Sequence, residues 1–264
     1  MKRLMLVLLA LLLLSGCDLR NRQDSANYIP TGTDQSEPGT ESAQAPPEET
    51  LPSLPSVGGG VIKEIYKTSG TFYSGGSELS YSYRIPFIDL QGSYVDGCNY
   101  EIDRRFRQAA RDAEAAMERY ETPEVLSIDY TAGFFGDVVS LEITQIDAEG
   151  RSSFAVYNFD KQTGAGVERQ QLLDAGGFTA EQMDELLRQA AEEEFRRQFG
   201  SQEELSPVAF SDALERTLEL DPASVTLFLT SDGQIRAMIP LYNLAGGQFL
   251  VPLTIDAGAA DEAY

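Results

Sequence analysis

Apolar and polar side chains alternate in several stretches of this chain, and a period of two is typical of strands with one buried face. The clearest stretch covers residues 79–87, where the apolar positions are Leu79, Tyr81, Tyr83, Ile85 and Phe87. Pro86 has no N–H to donate to a sheet, so it indicates an edge strand or the end of a strand. We therefore predict a half-buried strand here.

The same alternation predicts further strands later in the chain. The apolar positions of the next stretch are Val139, Leu141 and Ile143. A turn at residues 149–150 leads into another strand around Phe154 and Val156. Three late stretches predict an antiparallel meander, and they span residues 225–230, 235–242 and 249–255.

Two segments change to the spacing of a helix, with apolar residues three or four positions apart. Asn99 is the predicted cap of the first helix, whose apolar positions are Ile102, Phe106, Ala109, Ala113, Met117 and Tyr120. In the second helix, residues 179–182 have the form of a capping box, and Gly200 marks the end. A shorter helix is predicted from Pro207, because proline is tolerated in a first helical turn.

Strands and helices in separate runs predict the α+β class rather than an alternating βαβ fold. We expect antiparallel sheets with two main amphipathic helices packed on them. The patterned region is expected to form two α+β halves, 61–150 and 151–256, followed by a disordered tail at 257–264.

A short apolar segment precedes the patterned region. Lys2 and Arg3 stand before the apolar run 4–14, which is about eleven residues long, whereas a membrane span needs about twenty. Small residues then lead into Cys17, which resembles the lipobox of bacterial lipoproteins. This resemblance implies that the signal peptide 1–16 is removed and that lipid on Cys17 anchors the exported protein to the outer face of the cell membrane. An ordinary secretory signal with an incidental cysteine is the alternative.

The segment 17–60 predicts a disordered tether. It holds half of the chain's 12 prolines among Ser, Thr, Glu and Gly, and it has too few apolar residues to offset the entropy of ordering. Its coil dimensions give a mean reach of about 35–40 Å. The folded part is therefore expected to stand away from the bilayer.

The chain is strongly acidic, with 42 Asp and Glu against 20 Lys and Arg and a formal net charge of −22. Nucleic acid and flat contact with anionic lipid both require a basic surface, so we expect no nucleic acid partner and no such membrane contact. A basic protein would be attracted by the field of such a chain. The alternative is that the acidity serves only solubility.

Patterns typical of catalytic sites are missing. There is no histidine, which removes histidine-based nucleophilic pairs and most catalytic zinc sites. Lys63, Lys67 and Lys161 are the lysines outside the N-terminal segment, and none has a serine three residues earlier. We expect no cofactor, no metal site and no catalysis, with a glycan hydrolase built on carboxylates as the enzymatic alternative.

Two groups have both a chemical and a structural interpretation. Cys98 lies just before the predicted helix, where a helix start would lower the pKa of its thiol, but we favour a small buried side chain. The run Glu192, Glu193 and Glu194 would be a cation site only if its carboxylates converged. Successive helical residues point in different directions, so a solvated face is expected.

Tyrosines offer one further candidate surface, because exposed rings stack on the flat apolar faces of sugars. The residues concerned are Tyr73, Tyr81, Tyr83, Tyr94 and Tyr100. Alternation places Tyr81 and Tyr83 on the same face as Leu79 and Ile85, which indicates core rather than a glycan platform.

The second half of the chain carries a short run of residues that is similar to a known family. The run is Tyr157, Asn158, Phe159 and Asp160, followed by Gly164, a helix with an acidic start and strands ending near residue 240. Upstream, the segment 83–86 precedes Asn99 and a helix in a similar order. Between residues 62 and 255 the chain resembles the extracytoplasmic domain of unknown function shared by the anti-sigma factor RsiV and the N-terminal region of the peptidoglycan deacetylase PdaC.

This resemblance implies an α+β envelope domain whose motif residues are structural. In RsiV the resembling region binds lysozyme, a basic protein, which would suit the acidity of this chain. We expect no anti-sigma activity, since a lipidated Cys17 leaves no cytoplasmic portion, and no deacetylase activity, since such enzymes use histidine ligands. The expected function is a membrane-tethered binding or sensory module for a basic protein. An accessory lipoprotein that binds peptidoglycan or another cell-wall glycan is the alternative.

Overall fold

The computed structural model describes residues 56–57 and 60–255 of the 264-residue chain. The predicted signal peptide, the lipidation site at Cys17, almost all of the tether and the tail at 257–264 lie outside these residues. The described part is a mixed α+β structure with a six-stranded sheet, a three-stranded sheet and five α-helices. The predicted α+β class with mainly antiparallel sheets is therefore confirmed.

The six-stranded sheet consists of two antiparallel meanders joined by one parallel pairing. Its strands in spatial order are β1 (Ser56–Val57), β2 (Ile62–Ser74), β3 (Ser77–Ile88), β4 (Val125–Phe135), β5 (Val138–Asp147) and β6 (Ser152–Asp160). β3 and β4 pair in parallel only at Ser82 with Ser127 and at Tyr83 with Ile128. Pro86 lies beyond these pairs near the end of β3, as its missing N–H requires. The strands predicted around 79–87 and 139–143 are confirmed, whereas β2 and β4 were not predicted.

A long helix with one wide turn connects β3 to β4. α1 (Ser93–Ile102) leads into a π-helical turn (Asp103–Arg107), and α2 (Gln108–Glu118) completes the connection. Buried residues recur four positions apart at Cys98, Ile102, Phe106 and Ala110, whereas an α-helical turn takes about 3.6 residues. A π turn holds more residues than an α-helical turn, so a spacing of four keeps the apolar side of the helix against the sheet.

The predicted cap at Asn99 is wrong, because the helix already begins at Ser93. The Asn99 side chain instead bonds the last residue of β3. The backbone N–H of Ile88 donates to Asn99 Oδ1, and Asn99 Nδ2 donates to the Ile88 carbonyl oxygen, both at 2.9 Å. Asn99 thus satisfies both backbone groups of Ile88 and fixes α1 to the sheet. Tyr120 was predicted on the apolar face, but it lies beyond α2 and is 93% exposed.

The first hydrophobic core lies between this helix and one face of the six-stranded sheet. Its largest fully buried side chains are Ile62, Tyr83, Ile85, Ile88, Ile102, Phe106, Ile128, Leu141, Ile143 and Phe159. Tyr83 keeps its hydroxyl satisfied by donating to the Val125 carbonyl oxygen at 2.7 Å. Of the residues predicted on apolar strand faces, Tyr83, Ile85, Val139, Leu141 and Ile143 lie in this core. Phe87, Phe154 and Val156 lie outside it, and their strands bury Ile88, Tyr157 and Phe159 instead.

The second layer packs three helices on the three-stranded sheet. The elements are α3 (Arg169–Gly176), α4 (Ala180–Phe199), α5 (Pro207–Leu218), β7 (Thr226–Leu229), β8 (Ile235–Tyr242) and β9 (Gln248–Ile255). The capping box before α4 is confirmed, since Gln182 N–H donates to Thr179 Oγ1 and the Gln182 side chain accepts from Thr179 N–H. The end of α4 before Gly200, the start of α5 at Pro207 and the antiparallel meander are also confirmed. α3 was not predicted.

A row of small and polar residues joins the two layers, and we call it the polar seam: Gly133, Ser140 and Asn158, which are neighbours across β4, β5 and β6. The backbone of β7 lies over this row. Ser140 Oγ donates to Asn158 Oδ1 at 2.5 Å and accepts the Leu229 N–H at 3.0 Å, and Asn158 Nδ2 donates to the Leu227 carbonyl oxygen at 3.0 Å. A Cβ on Gly133 would lie 2.0 Å from the Leu229 carbonyl oxygen. The free edge of β7 is therefore satisfied by side chains of the larger sheet.

A partly buried ion pair lies in the same interface. Glu142 of β5 accepts from the guanidinium of Arg236 on β8, and that guanidinium also stacks over the Phe228 ring at 4.9 Å from its centroid. Glu142 is almost fully buried. The two layers thus meet through polar as well as apolar contacts.

Candidate binding grooves

A groove of about 500 Å³ lies between α2 and the hairpin of β2 and β3. Its lining residues are Thr71, Phe72, Tyr81, Glu114, Met117 and Glu118. We call it the acidic groove, because two of these residues carry carboxylates and none is basic. Met117 and Glu118 stand three and four positions after Glu114 in α2, so both lie on the same side of that helix as Glu114.

The aromatic wall of the acidic groove is built by strand register. Tyr81 of β3 stands opposite Gly70 of β2, and a Cβ on Gly70 would lie 2.9 Å from the Tyr81 hydroxyl oxygen. Glycine therefore allows the tyrosine ring to lie close over the neighbouring backbone. The centroid of this ring is 6.4 Å from that of Phe72 and 5.5 Å from that of Tyr83. The neighbouring rings hold Tyr81 in place.

Carboxylates and aromatic faces both attract cations. Glu114 also acts on Tyr66, where burial and, next, a hydrogen bond to the Glu114 carboxylate and its charge raise the pKa of the phenol to about 12. The volume lies within the range of about 300–1,000 Å³ found for ligand sites. The acidic groove can therefore accept the ammonium or guanidinium of a Lys or Arg side chain, with its methylenes against Met117.

A second groove, of about 560 Å³, lies along a different face of α2, against the start of β4 and the end of β5. The charged residues that line it are Arg104, Arg105, Asp112, Arg119, Glu121 and Glu124. We call it the arginine groove. It brings three guanidinium groups together in a strongly acidic chain.

The family-like residues all make contacts within the fold. Tyr157 and Phe159 are buried in the first core, and Asn158 belongs to the polar seam. Asp160 Oδ1 accepts two backbone N–H groups of the following turn at 2.8 and 2.9 Å, and hydrogen bonding there lowers the pKa of the Asp160 carboxyl. Gly164, with φ 68°, closes this turn by donating its N–H to the Asp160 carbonyl oxygen at 2.8 Å.

The structure does not assemble the five candidate tyrosines into one platform. Among them, only the rings of Tyr81 and Tyr83 are in contact within the described residues. Tyr83 is fully buried, whereas Tyr73 on β2 and Tyr100 on α1 are largely exposed. Of the five, Tyr81 is the one that lines either of the two grooves.

Cys98 lies inside α1 and is buried, so the interpretation as a small core side chain is confirmed. The prediction that Cys98 lies just before a helix start is wrong, because α1 begins at Ser93. Burial raises the pKa of the Cys98 thiol to about 11, which opposes formation of a reactive thiolate.

The three successive glutamates of α4 diverge. Glu192 pairs with Arg196 at 2.9 Å, and Glu193 accepts from a glutamine one turn earlier. The expected solvated face is wrong for Glu194, which is only 6% exposed. Its carboxylate accepts two hydrogen bonds from the Arg197 guanidinium. Within the described residues no three Asp, Glu or Cys side chains are arranged to hold a metal ion.

Apart from Tyr81, the residues that line the two grooves were not predicted as site residues from the sequence. One signal was available, because Glu114 and Glu118 are like charges four positions apart, a pairing that costs a helix about 0.2–0.5 kcal/mol. No comparable local signal marks Phe72 or Arg105, since their neighbours in the grooves come from distant parts of the chain.

Across residues 60–255, no helix has the length and apolar character needed to cross a bilayer. Comparison of the chain with family models gives no match, and comparison with curated proteins gives none either.

Proposed function

We propose that this chain is a non-catalytic binding or sensory module that is held by lipid on Cys17 to the outer face of the bacterial cell membrane and recognises a basic protein such as lysozyme. In this proposal the segment 17–60 is the tether. The folded part is a domain of the type shared by RsiV and PdaC.

The observation that carries the proposal is the acidic groove. Glu114 and Glu118 lie beside the rings of Phe72 and Tyr81, without a basic side chain in the lining. A Lys or Arg side chain entering the groove would gain hydrogen bonds to carboxylates and contact with an aromatic face. Such a site selects a cation, and a basic protein presents many.

The charge of the whole chain supports the same partner class. A net charge of −22 attracts a basic protein over long range and raises the rate of encounter. Because added salt screens this attraction, binding is expected to weaken as the ionic strength rises.

The test is binding of lysozyme to the full chain by isothermal titration calorimetry, at about 50 mM and about 500 mM salt. The double variant Glu114→Gln/Glu118→Gln should bind about tenfold more weakly or worse at low salt, because each Gln keeps a hydrogen bond but loses about 1 kcal/mol of its charge-assisted part. Gln keeps the size of the side chains, and equal urea unfolding midpoints would show that the fold is intact.

The matched control is Glu181→Gln/Glu185→Gln, which removes the same charge from two exposed residues of α4. This variant should bind lysozyme within about twofold of the unchanged chain, because it alters only the long-range field. Equal losses in both double variants would contradict a specific role of the acidic groove. Salt-insensitive retention on purified cell wall, without lysozyme binding, would favour the accessory glycan-binding lipoprotein instead.

A further inference from the structure

The floor of the arginine groove is formed by small side chains. Ala109, Ala113 and Ala116 of α2 line it, and they face the start of β4 at Val125 and the end of β5 at Gln145. Short side chains on the helix leave the volume of about 560 Å³ unfilled. The floor is therefore apolar and the rim is polar, which is the usual composition of a site for a small ligand.

Two guanidinium groups stand at the π-helical end of this groove. Arg104 and Arg105 are consecutive residues of the π turn, and both line the groove. The Arg105 guanidinium lies over the ring of the buried Phe106, 4.8 Å from its centroid. Stacking on an aromatic face limits the motion of an arginine and leaves its N–H edge free for a ligand.

These two arginines have no carboxylate partner within 4.0 Å among the described residues, although acidic residues outnumber basic ones. Other polar residues that line the groove are hydrogen-bonded to one another. Arg119 at the other end of the groove donates twice to Glu121, and Gln108 donates to Asp112 at 2.8 Å. The available positive charge of the groove is therefore concentrated at Arg104 and Arg105.

We infer that the arginine groove binds the carboxylate of a small ligand that also carries hydroxyl or amide groups, with Arg104 and Arg105 as the residues that hold the carboxylate. The planar guanidinium matches a carboxylate with two parallel hydrogen bonds. The amides of Gln108 and Gln145 and the carboxylate of Glu124 can bond the remaining polar groups of the ligand, and the alanine floor can contact its C–H groups.

The acidic residues of the lining limit the ligand to few negative charges. Asp112, Glu121 and Glu124 would repel a polyanion. A single carboxylate held at Arg104 and Arg105 lies about two helical turns from Asp112. Two sources share this chemistry, an acidic sugar and the carboxyl end of an amino acid or peptide. The proposal does not depend on the acidic groove, which lies on another face of α2.

The test uses the full chain and four probes followed by saturation-transfer NMR and calorimetry: glucuronate with glucose as its neutral control, and N-acetylalanine with its amide as the neutral control. At least one acid should bind while both neutral probes do not. Binding of glucuronate alone would identify an acidic sugar as the ligand. Binding of N-acetylalanine alone would identify the carboxyl end of an amino acid or peptide. Binding of both would show that the site recognises the carboxylate that they share. Failure of both acids to bind would overturn the proposal.

Variants locate the site. Arg104→Gln/Arg105→Gln should weaken binding of the acid about tenfold or more, and Arg104→Lys/Arg105→Lys should lose less, because lysine keeps the charge without the planar fork. Arg188→Gln/Arg196→Gln on α4 removes the same charge elsewhere and should change the affinity less than about twofold. Undiminished acid binding by the folded Arg104→Gln/Arg105→Gln variant would refute the assignment.

Discussion

Tyr120 has a left-handed backbone conformation at the end of α2, with φ 61°. The Glu121 N–H bonds the Ala116 carbonyl oxygen at 2.9 Å and the Tyr120 N–H bonds the Met117 carbonyl oxygen at 3.0 Å, which is the Schellman arrangement that usually has glycine at this position. A residue with a Cβ is strained there by about 1–2 kcal/mol. The Tyr120 side chain is almost fully exposed, so its packing offsets little of this strain.

Tyr120→Gly is therefore expected to raise the free energy of unfolding by about 0.5–1 kcal/mol, because the relief of strain exceeds the added flexibility of the unfolded chain. Urea unfolding followed by circular dichroism measures this change. Tyr120→Ala is the control, since it removes the ring but keeps the Cβ, and it should stay within about 0.5 kcal/mol of the unchanged chain. Equal stabilisation by both variants would attribute the gain to loss of the ring instead.

At the scale of elements, local sequence signals determine some features of α4 and packing determines others. The capping box at Thr179 sets its start, and the buried apolar residues Met183, Leu187, Ala191 and Phe195 recur every four positions. Neither the capping box nor the apolar spacing predicts the burial of Glu194, whose carboxylate pairs with Arg197. The hydrogen bonds from Arg197 lower the pKa of the Glu194 carboxyl from its ordinary 4.5.

A lowered pKa means that the stabilisation from Glu194 is complete above the ordinary value of 4.5 and is lost as the pH falls through the lowered value. The unchanged chain should therefore be more stable than Glu194→Gln at about pH 7, and this difference should shrink below about pH 4. Urea unfolding across this pH range measures the difference. In an Arg197→Gln background the pH dependence of the difference should be much smaller. A difference that grows on acidification would contradict this assignment.

At the scale of the whole molecule, the two layers are joined by the polar seam. Ser140 is central to it, because its hydroxyl bonds both Asn158 and the Leu229 N–H of β7. Gly133 beside it gives β7 the space to approach the larger sheet. The position of the second layer on the first therefore depends on a few polar contacts between residues far apart in the chain.

Ser140→Ala should lower the free energy of unfolding by about 1–3 kcal/mol, because it leaves the buried Leu229 N–H without its acceptor. Ser80→Ala on β3 is the matched control, since Ser80 is exposed, and its effect should stay within about 0.5 kcal/mol. Both values are measured by urea unfolding. A loss for Ser80→Ala as large as that for Ser140→Ala would show that the seam contributes nothing specific.

Much of the local structure was predictable. Alternation identified β3, β5 and the late meander, the capping box identified the start of α4, and the α+β class followed from the order of elements. The first helix was predicted too short, because Asn99 looked like a cap although its side chain bonds Ile88 in a strand. A helix start without a bonded capping side chain, as at Gly92, leaves little local signal.

The sequence by itself determined the class of fold, the main strands and the helix with the capping box, because periodicity and capping express preferences of neighbouring residues. The tertiary structure alone decided that Asn158 and Ser140 bond the edge of β7, and that Glu194 is buried. It also decided that α2 carries an acidic groove on one face and an arginine groove on another. Each of these depends on side chains from distant segments meeting in space, and a local pattern does not encode which distant partner arrives.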